Sequence, residues 1–446
     1  MKMKTKTAFY IGSLITSFTF SITASAQSLQ EAIQQTVNEN PEIQSEKAER
    51  VAVEHEISQA RAGYFPTVDI AAGIGWEQST NPTTRARGDG TVSYGREEAS
   101  IQLRQMIYDG SATSSEVKRH KARTNARAYS VFGKSEITAL NAVEAYINVL
   151  RRQDLLTLAK ENLLIHLRTH DQISLRSERG IGKRADSDQS SGRLALAEKN
   201  TLSEVGNLKD AETAFLRVVG SLPSNLQHVA HLNDNLPKTI EEATEQAIAN
   251  HPILKSANAD IDSAFAQHAT AKAPYLPSLD VEAGASHNND LDGINGKNED
   301  VYAMLRLRYN LFNGGKDVAR RKETTALIYQ AKEIRDNTYR QVVESMRLSW
   351  VARQTLKGQM DFFKTHKLSS IRSNAAYQKQ FNIGQRTLLD LLDSANEMFV
   401  AKSDFINAKY DELFSQYRIL ASKGSLNSHL GVTLPEESRT LNGPRK

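Results

Sequence analysis

Two periodicities divide the chain. Over Leu194, Ala197, Thr201, Val205, Leu208 and Phe215, and again over Leu388, Leu391, Leu392, Ala395 and Phe399, apolar residues recur at helical spacing. Both stripes are narrow and contain alanine, which suits close lateral packing of long helices and equally suits a plain structural coiled coil. Elsewhere the period is two. Val68, Ile70, Ala72, Ile74 and Trp76 alternate with Asp69, Ala71, Gly73 and Gly75, and Leu279, Val281, Ala283 and Ala285 alternate with Asp280, Glu282, Gly284 and Ser286. Ile101, Leu103 and Ile107 oppose Gln102 and Arg104, while Val301, Ala303, Leu305, Leu307, Tyr309 and Leu311 oppose Tyr302, Met304, Arg306, Arg308 and Asn310. Strict alternation predicts strands with one apolar and one polar face, each of about ten residues, the length that crosses a bilayer when tilted.

Proline placement supplies the helix lengths. The chain has 10 prolines, none between Pro82 and Pro223 and none between Pro277 and Pro435, and proline is the residue a helix interior excludes. Ser111–Arg179 and Gly315–Phe381 are spans of nearly equal length that would each run about 100 Å as continuous helix. Each ends at a matching break, Arg179-Gly-Ile-Gly182 and Phe381-Asn-Ile-Gly384, which reads as the turn of a helical hairpin.

The chain also repeats itself. Displaced by 211 positions, Pro41 falls on Pro252, Ala60 on Ala271, Tyr64 on Tyr275, Pro66 on Pro277, Asp69 on Asp280 and Gly73 on Gly284. The displacement is 204 for Ile101–Gly110 on Leu305–Gly314, and 202 for Gly182 and Arg184 on Gly384 and Arg386, as loops of unequal length require. The organisation predicted is a leader over residues 1–26, a first repeat over 27–238 with its strand hairpin at 67–108, a second over 239–424 with its hairpin at 278–311, and a tail over 425–446.

The leader follows from Lys2, Lys4 and Lys6 ahead of the apolar run Phe9–Ile22 and from Ala24-Ser25-Ala26, a small-x-small cleavage pattern that places the mature start at Gln27. Removing those three lysines lowers the net charge of +4 by three, which argues against a nucleic-acid partner. With 0 cysteines there are no disulfides, thiolate metal sites or thiol catalysis. With 39 % hydrophobic residues the chain has material for real cores. No later stretch is apolar enough for a spanning helix, so contact with a membrane would come through strands or partners. Four strands cannot close a barrel, and open edges in lipid leave backbone groups unpaired; the chain is therefore expected to oligomerise. A soluble sandwich shares the same alternation, and a soluble periplasmic coiled-coil scaffold shares the helical stripes.

At this point the sequence resembles the TolC family of outer-membrane export channels over essentially the whole mature chain, with Tyr64-Phe-Pro66 and Tyr275-Leu-Pro277 leading into strands and Tyr108-Asp-Gly110 and Phe312-Asn-Gly314 leaving them. The resemblance implies a mainly α fold with a membrane β-barrel portion: duplicated long helical hairpins and four strands per chain, trimerising into a twelve-stranded barrel and an α-helical tunnel. It implies a Gram-negative outer membrane, a homotrimer among outer-membrane lipid, a periplasmic membrane-fusion adaptor, and an inner-membrane ABC transporter or other pump that supplies the energy. The stretch Arg184–Ala197 is similar to members serving type I secretion, especially adhesin exporters, with multidrug efflux as the alternative.

Gly384-Gln-Arg386-Thr-Leu-Leu-Asp390-Leu-Leu-Asp393 resembles the family's gating segment. By that resemblance Arg386 ties neighbouring helices at the closed periplasmic mouth, Asp390 and Asp393 line the aperture as a cation-sensitive ring, and Ser187 and Asp188 accept the arginine's hydrogen bonds. Spacing places Asp390 and Asp393 on one helical face with Arg386 four residues ahead of Asp390; a solvated acidic face with an ordinary intrahelical pair has the same spacing. Phe381 stands where the family often has a tyrosine, so that phenolic bond is absent. Asn288, Asp290, Asp292 and Glu299 approximate a calcium loop, but flanking strands rather than helices make a solvated cell-surface turn the better reading, as for the longer turn Glu77–Glu98. His55 lacks the second histidine of a zinc-protease helix, and no nucleophile elbow or Walker loop occurs. The reading is a channel and not an enzyme, with no cofactor and no resident metal.

Overall fold

The computed structural model describes residues 26–232 and 236–441. All of the leader but Ala26 lies outside the described residues. The element order runs α1 (Leu29–Glu39), α2 (Pro41–Ala62), β1 (Thr67–Ser79), α3 (Pro82–Ala86), β2 (Val92–Asp109), α4 (Ala112–Glu178) and α5 (Arg184–Val219), then α6 (Ile240–Asn250), α7 (Pro252–Thr270), β3 (Ser278–Asn289), β4 (Lys297–Arg308), α8 (Lys316–Asn382), α9 (Leu388–Ser422) and α10 (Leu426–His429). Apart from α3 and α10, the second half repeats the first element for element.

Ser111–Arg179 and Gly315–Phe381 each hold a single helix, with ends within a residue of those expected. α4 and α8 are 67 residues each, about 100 Å at 1.5 Å per residue. Their partners α5 and α9 are 36 and 35 residues. Where prolines do fall, they open helices: Pro41 and Pro252 occupy the first positions of α2 and α7, where no intrahelical N–H is needed. Gly180 and Gly384 take left-handed backbone, φ +72° and +76°, at the two hairpin turns, which residues with a Cβ seldom adopt.

The strands form one antiparallel sheet in the order β1-β2-β3-β4, interrupted by a bulge between Met106 and Tyr108. Register places Val68, Ile70, Ala72, Ile74 and Trp76 on the same face as Ile101, Leu103, Val281, Ala283, Val301, Ala303 and Leu305. That face is bare: Ile74 and Val301 are each 85 % exposed. The opposite face carries ion pairs, including Arg104 and Arg308 on Asp280 at 2.9 and 2.7 Å, with Arg306 on Glu282 at 2.6 Å. β1 and β4 are both open edges. Three expectations are corrected. β2 spans 18 residues rather than about ten; the long turn narrows to the residues between Ser79 and Val92; and β4 ends at Arg308, leaving Tyr309 and Leu311 outside the sheet.

Cores lie along the helices. The largest gathers Ile33 and Val37 of α1, Ile43 of α2, Val143, Tyr146 and Ile147 of α4, Phe215 of α5 and Tyr410, Tyr417 and Leu420 of α9. Within it the Tyr146 hydroxyl donates to the carbonyls of Gln27 and Gln227 at 2.7 and 2.8 Å, pinning the expected mature start. A smaller core sets α6 on α8 and α9 through Ala243, Ala247, Met346, Trp350 and Ile419. The tail returns to the first repeat: the buried carboxylate of Glu136 accepts the N–H groups of Leu426 and Asn427 at 2.8 and 3.1 Å. Among the described residues no helix is long and apolar enough to cross a membrane.

Candidate functional site

The free ends of the two helical hairpins bring the expected gate residues near one another and assign them different partners. α9 begins at Leu388 because Thr387 is its N-cap: the Asp390 N–H donates to the Thr387 hydroxyl at 3.2 Å, and the Asp390 carboxylate accepts from the Thr387 N–H and hydroxyl at 3.1 and 2.9 Å. Arg386 therefore precedes the helix, and the i, i+4 pair with Asp390 expected from spacing does not form. Its exposed guanidinium instead donates to Gln380 Oε1 at 3.0 Å and lies 4.4 Å from the ring centroid of Tyr377, a cation–π contact. The Thr387 hydroxyl, then the Thr387 N–H, hold the Asp390 carboxyl below its ordinary range, and the charge of Arg386 adds to this.

Asp393 is likewise engaged. Its Oδ1 receives Arg193 Nη2 of α5 at 2.9 Å, joining the first hairpin to the second. Phe381 packs against Ile173, Leu388 and Leu392, with the Arg176 guanidinium 5.6 Å from its ring centroid. Ser187 is half-buried and its carbonyl accepts from the Ser190 hydroxyl at 2.8 Å, whereas Asp188 is exposed. Within one chain Arg386 meets neither of them.

Each hairpin is stitched by the same polar device. His170 Nδ1 lies 2.9 Å from Ser190 Oγ, and Asn374 Nδ2 donates to Ser394 Oγ at 3.0 Å, both pairs 20 residues apart. Both serine hydroxyls donate backwards, Ser190 to the Ser187 carbonyl and Ser394 to that of Leu391 at 2.9 Å, so each accepts from its partner and His170 carries its proton on Nδ1. One helical turn away, His166 is buried, and its imidazolium is disfavoured by desolvation and then by the charge of Arg193.

At the opposite end of the molecule the calcium-loop residues do not converge. Asp290 Oδ1 accepts the Gly296 N–H at 2.8 Å, Glu299 pairs with His287 at 2.8 Å, Asn288 faces Asn298 across the strands, and the Asp292 carbonyl accepts Asn81 Nδ2 at 2.7 Å. No group of three or more His, Asp or Glu side chains among the described residues could hold a metal ion.

Arg193, Tyr377 and Gln380 are absent from the sequence-derived set. Tyr377 lies one turn ahead of Phe381, a signal available from spacing. Arg193 has no local signal, being 200 residues from Asp393.

Comparison with known proteins gives a consistent outcome. A family model described as outer membrane efflux protein matches residues 32–221 and 243–425. The chain is 24 % identical over 425 residues to outer membrane protein TolC of Escherichia coli K12, covering 92 % of this chain and 84 % of that protein. It is 23 % identical over 399 residues to the alkaline protease secretion protein AprF of Pseudomonas aeruginosa, covering 87 % and 82 %. The crystal structure of the Campylobacter jejuni CmeC outer membrane channel superposes with a TM-score of 0.79 at 16 % identity, covering 93 % and 90 % of the two chains.

Proposed function

The chain belongs to the outer membrane efflux protein family, and from this premise we propose that three copies close one barrel in the outer membrane and continue as a helical tunnel across the periplasm. Members of the family are outer-membrane channels that work with adaptors and inner-membrane pumps. One observation supports closure by several copies, the number three following from the family resemblance: the sheet has two open edges and a bare apolar face, an arrangement that lipid tolerates only once β1 of one copy pairs with β4 of the next. The charged inner face would then line water.

The duct is passive. A periplasmic membrane-fusion adaptor would engage the hairpin ends, and an inner-membrane ABC transporter would drive export. We read the cargo as a secreted protein such as an adhesin. AprF, a relative over most of the chain, is by name a protease secretion protein, which supports this reading. The family description itself favours the second reading, small-molecule efflux.

The gate would lie at the hairpin ends, with Arg386, Asp390, Asp393, Ser187, Asp188 and Phe381 as its parts and Arg193 as the residue the structure adds. Since Arg386 meets neither Ser187 nor Asp188 of its own chain, its latch partners would be those of an adjacent copy. Conductance of the purified protein in planar bilayers tests this. Small wild-type currents that grow in Arg386→Ala support both channel and latch; equal currents in a folded trimer would remove the latch, and no current from either would return the chain to a periplasmic scaffold. Loss of a protein from the medium on deleting the gene, without gain of drug sensitivity, would separate secretion from efflux.

A further inference from the structure

The turn between β1 and β2 lies at the end of the sheet remote from every long helix, and it is built rather than loose. Asn81 caps α3, its Oδ1 accepting from the N–H groups of Thr83 and Thr84 at 2.9 and 3.0 Å. Thr84 is fully buried, and its hydroxyl accepts from the Asn81 N–H at 3.1 Å. Asn81 also donates to the Asp292 carbonyl in the neighbouring hairpin, and the hydroxyls of Thr80 and Thr91 meet at 2.8 Å to close the base. From this frame the chain leaves α3 through Arg87-Gly88-Asp89. Gly88 adopts φ +85°, and the Asp89 N–H returns to the Thr84 carbonyl at 3.0 Å.

All three residues are exposed. At the base of the turn Arg96 pairs with both Glu77 and Glu98. By contrast, among the described residues no ion pair or side-chain hydrogen bond engages Arg87 or Asp89. A cation and an anion thus stand one left-handed glycine apart, on backbone already ordered by the cap beneath them.

We propose that Arg87-Gly88-Asp89 is a docking site for a divalent-cation-dependent adhesion receptor of the kind that reads an Arg-Gly-Asp peptide. A carboxylate oxygen is a natural ligand for a receptor-held divalent cation, and a guanidinium suits a carboxylate-lined pocket through paired N–H donors. Because the frame orders the tripeptide before it binds, less conformational entropy is lost on docking than for a free peptide. Three copies around one barrel would add multivalency. The inference rests on the reading that this turn faces the cell exterior.

The test uses purified trimer immobilised in detergent, with a soluble Arg-Gly-Asp-binding integrin ectodomain and manganese as the probe. Saturable binding is expected, falling at least about tenfold with chelator, with excess free Arg-Gly-Asp peptide and in Asp89→Glu, which keeps the charge and moves it by one methylene. Conductance of Asp89→Glu should match wild type, showing an intact channel. Absence of binding, or binding within about twofold of wild type in Asp89→Glu, overturns the docking site and leaves the channel reading standing. Binding to purified trimer but not to intact cells producing the protein overturns the outward placement of the turn, and the surface role with it.

Discussion

Arg193 and Asp393, 200 residues apart in sequence, form the 2.9 Å ion pair that joins the first helical hairpin to the second. Both partners are partly exposed, so the pair is worth roughly 0.2–1 kcal/mol, enough to bias a mouth and too little to lock it. Arg193→Ala should free the Asp393 carboxylate, strengthening block of the channel by multivalent cations, while Asp393→Ala weakens it. Single-channel recordings across a titration of a trivalent cation read both. Equal block in the three proteins would take Asp393 out of the aperture.

His170 and Asn374 perform the same task in the two repeats, each donating to a serine whose hydroxyl is spent on the carbonyl three residues earlier. His170→Asn should therefore preserve thermal stability, whereas His170→Leu should cost about 0.5–1.5 kcal/mol by leaving buried Ser190 without its donor. Denaturant midpoints of the two variants decide the matter, and a Leu variant as stable as the Asn variant would sink it.

Burial pushes the Glu136 carboxyl up to about 7, against the opposing pull of the Asn427 and Leu426 N–H groups. The folded chain thus holds a proton that the unfolded chain has released, and stability from this group is greatest below the ordinary carboxyl range and declines as pH rises through about 7. Melting midpoints of wild type should fall relative to Glu136→Gln between pH 5 and 8. Parallel curves would show that the carboxylate is ionised throughout.

Asp390 titrates in the opposite sense. Its depressed value, set first by the Thr387 hydroxyl, means that its contribution is present above the ordinary aspartate range and is lost as pH falls through the folded value. Thr387→Ala removes the principal cause. Protease nicking at the second hairpin turn should rise at acid pH in wild type and should already be raised at neutral pH in Thr387→Ala; indifference to both changes would show that the cap does not hold the turn.

Much of this architecture is legible along the chain because its signals are local. The lack of proline leaves room for α4 and α8, the glycine-bearing breaks set their ends to within a residue, and alternation assigns the faces of the sheet. What escapes is set by competition or by distance. Arg386 has the spacing of a helical partner to Asp390, but Thr387 takes that carboxylate for the cap. β2 extends beyond its apolar alternation because Ser93, Tyr94, Gly95 and Arg96 continue the register with β1, where Arg96 also reaches Glu77. Arg193 reaches Asp393 only after two hairpins have packed, a relation no window along the chain contains.

The two open edges of the sheet carry a genetic consequence. If every duct takes its seams from three chains, an allele whose β1 cannot pair breaks the ring it joins. Expressed in equal amount beside the normal allele, it would leave only about one assembly in eight free of the defect. Such a mutation would behave as dominant, with a severity out of proportion to its dose.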